Sequence, residues 1–192
     1  ADPDKNQELW RTALPGPATP SFTPGRTYYW SVVTNLGPMK LELLDDVAPQ
    51  HVASLIYLAR VGFYDTTVFH RVVEDFMAQG GSTTSYVAEE QYDHSPNYAM
   101  YGEYDGAVSH DVRGTLSTAN AGEGTDSSGF FVTFVPTTHL DGLHTISGRM
   151  VDEQDSKDTL SAIEALAVPD EIGTPTGPIQ IISSSIIVEI DN

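Results

Sequence analysis

Between residues 69 and 150 the β-branched and aromatic residues fall into runs of six or fewer: Phe69–Val73, Phe76–Ala78, Gly114–Thr118, Phe130–Val135 and Thr145–Met150. Runs this short cannot bury a face singly, so they must pair with one another around a shared core. A hairpin precedes them, with Tyr28–Thr34 and Pro38–Leu44 separated by Asn35-Leu36-Gly37. A longer run, Ile179–Ile190, follows them, and its Ser183-Ser184-Ser185 interruption predicts a bulge or bend. Only two stretches have helical spacing. Pro49 opens the first, where Val52, Leu55, Ile56, Leu58 and Ala59 recur on one face until Gly62. The second runs from Ser156 to Leu166, with Leu160, Ile163 and Leu166 three apart. Many short strands, two helices and a long strand at either end predict a mainly β chain, folded as a closed antiparallel barrel with helical caps.

A chain of 192 residues fits one domain, and an apolar fraction of 40% is enough for a sizeable core. Residues 1–26 hold five of the twelve prolines and read as an extended tail; the domain is expected over 27–192. No apolar run approaches the 18 residues of a membrane span, and the N-terminus shows neither the basic nor the apolar part of a signal peptide. The chain starts at Ala1, as a processed product or an expression scar would. With a linker-like N-terminus, that start leads us to expect an exported protein, periplasmic or secreted. A monomer is the expectation for a single barrel of this size. Acidic residues outnumber basic ones 27 to 9, for a formal charge of −18. Such a surface repels phosphate backbones and anionic membranes, so no nucleic-acid partner and no stable membrane insertion are expected. The absence of cysteine excludes a disulfide framework, thiol catalysis and cysteine–zinc sites.

Three segments carry chemistry. The first has a permanently charged Arg71 among Phe69, Val72, Val73, Phe76 and Met77. A guanidinium in such company is either paired, with Glu74 or Asp75 as the nearest candidates, or displayed on a working face. Three signatures stand in order: Phe69-His70-Arg71-Val72-Val73 with Phe76-Met77-x-Gln79-Gly80-Gly81; Leu116-Ser117-x-Ala119-Asn120-Ala121-Gly122; and Phe130-Phe131 with Leu140-Asp141-Gly142-x-His144-Thr145. Together they resemble the cyclophilin family of peptidyl-prolyl cis/trans isomerases, and the resemblance runs from about Tyr28 to Val188.

The resemblance implies an eight-stranded antiparallel barrel capped by two helices, with the active site on its outer face. It implies that Arg71 is the catalytic arginine and that Gln79 orients it. Phe76, Met77, Phe131 and Leu140 would form a proline pocket, Ala119, Asn120 and Ala121 an edge contacting substrate backbone, and His144 the pocket rim, with His139 a further substrate-binding position. The implied partners are proline-containing polypeptides, with assistance to folding as the implied role and no cofactor or metal needed. The sequence also departs from the pattern. Gly129 stands where glutamine is usual, and Thr118 where methionine is usual. His139 stands where cyclosporin-sensitive members have tryptophan, which implies weak or no cyclosporin binding. Residues 82–107 match the family poorly.

The same residues bear on other readings. The histidines show neither His-x-His nor His-Glu-x-x-His spacing, and Asp152-Glu153-Gln154-Asp155 reads as a solvated loop rather than a calcium site. Gly-x-Ser-x-Gly is absent, which weakens a hydrolase reading. A barrel that grips X–Pro segments without turnover is the alternative to an active enzyme. Gly16-Pro17 in the tail could occupy the chain's own pocket or a neighbour's.

Overall fold

The first two strands show why the chain folds as it does. In a computed structural model that describes residues 3–5, 10–81, 95–104, 106–170 and 172–191, β1 (Arg26–Thr34) and β2 (Gly37–Leu43) form the expected hairpin. They pair from Tyr28 with Leu43 to Thr34 with Gly37, joined by Asn35 and Leu36. Alternate residues Tyr28, Trp30 and Val32 of β1 and Met39, Leu41 and Leu43 of β2 are buried, as strand geometry requires of one inward face. Gly37 has φ 139°, and a Cβ there would collide with Thr159, so the turn takes glycine for both reasons.

Six further strands extend the sheet: β3 (Arg71–Val73), β4 (Met77–Gly80), β5 (Thr115–Thr118), β6 (Phe130–Thr133), β7 (Ile146–Met150) and β8 (Ile181–Ile190). Their order is β3-β4-β6-β5-β7-β2-β1-β8, and every pairing is antiparallel. The eight strands and mainly β character agree with expectation, but the sheet is an open half-barrel and not a closed barrel. The physical reason lies at β3. Its free edge is taken by the segment after the second helix: the Val72 N–H donates to Gly173 O at 2.6 Å and the Glu74 N–H to Val168 O at 3.0 Å. With that edge occupied, β3 does not ladder with β8. The two ends meet just before β3, where the Thr66 N–H donates to Ile181 O at 2.8 Å, the Ile181 N–H to Thr67 O at 2.8 Å and the Phe69 N–H to Ile179 O at 2.9 Å, around an isolated bridge between Val68 and Gln180.

Helix α1 (Pro49–Arg60) starts at proline as expected, and its N–H-free first position suits that residue. Helix α2 (Gln154–Glu164) begins and ends two residues earlier than the spacing predicts, with Leu160 and Ile163 buried against the sheet. In β8 the serines pair regularly, Ser183, Ser184 and Ser185 with Val33, Val32 and Ser31. The register slips instead between Val33 and Thr34, leaving Ile182 as the unpaired residue in place of the expected break at the serines. The inner sheet face and α1 share one core containing Trp30, Leu41, Leu58, Phe63, Phe69 and Phe130. The described part of the N-terminal segment lies against this core. Trp10–Ala13 form a 3-10 turn, Trp10 and Leu14 join the buried cluster, and Arg11 donates to the carbonyls of Phe63 at 3.0 Å and Asp65 at 2.9 Å. No described helix is long and apolar enough to cross a membrane.

Candidate active site

Register decides which side chains meet outside the sheet. Arg71 lies opposite Gln79, Gln79 opposite Phe131, and Phe131 opposite Ser117, so these four form one row across β3, β4, β6 and β5. A parallel row places Val73 opposite Met77 and Met77 opposite Thr133. Their neighbours in sequence (Val72, Ala78, Val132, Leu116) point the other way and belong to the core cluster. Met77 and Phe131 are buried as well, at 2% and 4% exposure, yet neither belongs to that cluster. They form a separate apolar floor on the outer face, with half-buried Arg71 beside it.

The turn between β3 and β4 brings Phe76 to the same place. Asp75 takes a left-handed conformation, φ 54°, which aspartate tolerates better than most residues, and the Phe76 N–H closes back on Val73 O at 3.2 Å. The Arg71 guanidinium carbon then stands 5.9 Å from the Phe76 ring centroid, and Nη1 lies 3.9 Å from Met77 Sδ. His139, in the 3-10 turn Thr138–Leu140, stacks on Phe76 at 5.9 Å and 25°. His144 meets Phe131 edge-on at 5.3 Å, and its Nδ1–H donates to Thr118 O at 2.9 Å, which fixes the ring and leaves Nε2 available. Leu140 is half-buried at the end of the same 3-10 turn, and its carbonyl accepts the N–H groups of Leu143 and His144.

The third group forms a strand edge. The Ala119 N–H donates to Gly129 O at 2.9 Å, continuing β5 beyond its last ladder pair. Asn120 Nδ2 donates to Leu143 O at 3.0 Å, and the Ala121 N–H to Thr125 Oγ1 at 2.8 Å. Gly129, two residues before Phe131, shares the outer face by alternation, and a Cβ there would lie 3.5 Å from that of Ala119, an ordinary contact. The backbone at this position therefore has no need of glycine, and a side chain there would rest against Ala119. Gly16 and Pro17 line a different cleft, shared with Pro49, Gln50 and Tyr98, so the chain's own tail does not occupy the Arg71 region. Of the poorly matching stretch, residues 82–94 lie outside the described residues.

One supporting group escaped the sequence reading. His110 is fully buried beneath Phe131, its ring parallel at 6.1 Å and 11°. Its Nδ1 is 2.7 Å from Asp141 Oδ1 and its Nε2 3.0 Å from Ser117 Oγ. Burial lowers the pKa of this imidazole, as do His144 and His139, and they outweigh Asp141's opposing pull. Burial works against ionised Asp141 too, yet the Ser109 hydroxyl and the His110 backbone and ring hold its pKa down to about 2. Alternation in β5 places Ser117 on this face, but nothing local connects it to a histidine seven residues earlier. Among the described residues no three potential ligands gather as a metal site would require.

A cation beside an apolar floor, bordered by a strand edge with hydrogen-bonding capacity, can hold a short extended peptide and act on a group that gains electron density. Comparison with known proteins agrees in kind. Residues 29–186 match the family model described as cyclophilin-type peptidyl-prolyl cis-trans isomerase. A peptidyl-prolyl cis-trans isomerase-like 2 of Cryptococcus neoformans is 43% identical over 136 residues, 70% of this chain and 24% of the relative. Peptidyl-prolyl cis-trans isomerase 4 of Caenorhabditis elegans is 38% identical over 160 residues, 82% of this chain and 29% of the relative. The chain thus spans less than a third of the length of each of these two relatives. A crystal structure of a cyclophilin-type isomerase from Cryptosporidium parvum superposes with a TM-score of 0.72 at 28% identity, covering 84% of this chain and 98% of that one. The same protein solved in the presence of the dipeptide Ala-Pro gives 0.71 at 28% identity, over 83% and 98%. Matched by that family model over more than half its length, the chain belongs to the cyclophilin-type peptidyl-prolyl cis-trans isomerase family.

Proposed function

We propose that this chain accelerates rotation about X–Pro bonds in polypeptides, with Arg71 as the catalytic residue and the Met77–Phe131 floor as the proline pocket. The observation that carries the reading is the cross-strand row Arg71–Gln79–Phe131, which puts a cation and an apolar surface side by side outside the core. An X–Pro bond resists rotation because amide resonance gives it partial double-bond character, with a barrier of about 18–20 kcal/mol. Twisting returns the lone pair to the proline nitrogen. An N–H of Arg71 aimed at that nitrogen binds the twisted state better than either planar state, and such differential binding lowers the barrier. Arginine suits the task because it stays charged and offers several rigidly placed donors.

Phe76, Met77, Phe131 and Leu140 grip the pyrrolidine ring, and the Ala119–Ala121 edge holds the backbone before it while the preceding carbonyl swings. Gln79 faces Arg71 across the strands, in position to orient it. His139 and His144 border the pocket, and with histidine at 139 cyclosporin binding is weak. Lowering the barrier by about 7 kcal/mol corresponds to roughly a 10⁵-fold acceleration. The substrates are flexible or unfolded proline-containing chains, whose folding the activity assists.

An NMR-exchange assay on a capped Ala-Pro peptide tests this. The wild type accelerates exchange, and Arg71→Ala lowers kcat/KM at least tenfold, roughly 1.4 kcal/mol of lost transition-state binding. A folded wild type that binds the peptide without accelerating exchange makes the chain a binding module instead.

A further inference from the structure

The N-terminus of α1 closes on two acids through one histidine. His51, only 3% exposed, has carboxylate oxygens at both ring nitrogens: Glu103 Oε2 at 2.6 Å from Nδ1 and Asp126 Oδ2 at 2.8 Å from Nε2. A neutral imidazole has one N–H and one lone pair, whereas an ionised carboxylate only accepts. The neutral ring therefore satisfies one acid and turns a lone pair on the other at under 3 Å. The imidazolium satisfies both.

Three segments meet at this ring. Glu103 accepts the backbone N–H groups of Gln50 at 3.1 Å and His51 at 2.9 Å, helix donors without intrahelical partners. The Glu103 N–H donates to Thr145 Oγ1 at 2.9 Å, and that hydroxyl donates to Asp126 Oδ2 at 3.2 Å. The backbone of Asp126 pairs with Met100. From Asp126 the substrate-contacting edge is one residue away: Thr125 Oγ1 takes the Ala121 N–H at 2.8 Å and donates to Gly122 O at 2.7 Å. Beside it, Thr145 O accepts from the Thr118 N–H at 2.9 Å and the Ser117 hydroxyl at 2.8 Å.

We propose that His51, held as an imidazolium between Glu103 and Asp126, is a positioning residue for the Ala119–Ala121 edge, so that substrate binding weakens when the ring loses its proton. The proposal rests on the isomerase reading for what that edge binds. Burial by itself lowers the pKa of His51, but the hydrogen bonds and charges of Asp126 and Glu103 outweigh it and raise the pKa above the ordinary histidine value. The clamp's contribution is thus complete below about pH 6.5 and is lost as pH rises through the raised value. Among the described residues, Glu103 from segment 100–104 and Asp126 from the loop are the charged groups on the ring. Tyr104 lies near enough to Asp126 and Glu123 to feel the charge of both, and from α1 the Ser54 hydroxyl pairs with that of Tyr98 at 2.7 Å.

The test is ¹⁵N NMR of the His51 ring between about pH 6 and 9, alongside KM for a capped Ala-Pro peptide, in wild type and Asp126→Asn. The introduced amide can donate to a neutral ring, so the variant has no need of the imidazolium. We expect the wild-type ring to be doubly protonated at pH 7, with KM rising about fivefold as it titrates while kcat moves less, and the variant's KM to be independent of pH. A His51 that titrates at or below the ordinary value, or identical KM profiles in the two proteins, overturns the proposal. If the chain binds peptide without turnover, the isomerase reading fails, and the peptide Kd against pH decides the positioning claim by itself.

Discussion

Phe131 is held between two histidines, edge-on by His144 and face-on by His110, and the second is the more consequential. The buried His110 ring supports the pocket floor while joining Asp141 to Ser117. Substituting His110→Ala leaves a void under Phe131 and takes one hydrogen-bond partner each from Asp141 and Ser117. A loss of about 2–4 kcal/mol in urea denaturation is expected, together with a raised KM for the Ala-Pro peptide. An unchanged KM in a destabilised variant would make His110 a core residue only. The residue scale is also where the sequence was most legible. Arg71, Gln79 and Phe131 stand in motifs, and the register places them in one row. His110 and His51 stand in none, and their meaning comes from contacts 31, 52 and 75 residues away in the chain.

At the scale of elements, periodicity found both α-helices and all eight strands among the described residues, and its errors concerned where they start, stop and bend. Phe69 and His70 look like strand residues, but the ladder starts at Arg71. The serines of β8 look like an interruption, but they pair, because a polar side chain does not disturb backbone hydrogen bonding. The β1–β2 turn depends on a contact with α2 that no local pattern contains. Gly37→Ala has to put a Cβ against Thr159 and hold alanine at φ 139°. We expect a loss of more than about 1–3 kcal/mol, read as a lowered Tm, with no compensation from alanine's better intrinsic propensity. A Tm unchanged by the substitution would mean that the turn can rearrange.

At the scale of the whole molecule, the segment before β1 is tied to the core by more than the chain. Trp10 is 9% exposed and Leu14 2%, and the Arg11 guanidinium lies 4.8 Å from the Trp10 ring centroid while capping two carbonyls after α1. Trp10→Ala is expected to cost about 3–5 kcal/mol and deletion of residues 1–26 at least as much, both visible as a fall in Tm. A truncated chain with full stability would mean that the docked segment contributes nothing to the fold. Proline density predicted extended chain there, and it carries no information on whether an extended segment docks. The sequence by itself determined the mainly β class and the two helices, because alternation and helical spacing are local properties of the chain, and its three motifs carried the family resemblance. The tertiary structure alone decided that the sheet stays an open half-barrel, that Met77 and Phe131 are buried outside the core, that His110 lies against Phe131 and that His51 sits between Glu103 and Asp126. Each of these depends on which distant backbone edge or acid reaches a given residue first, and that competition is settled only when the chain closes on itself.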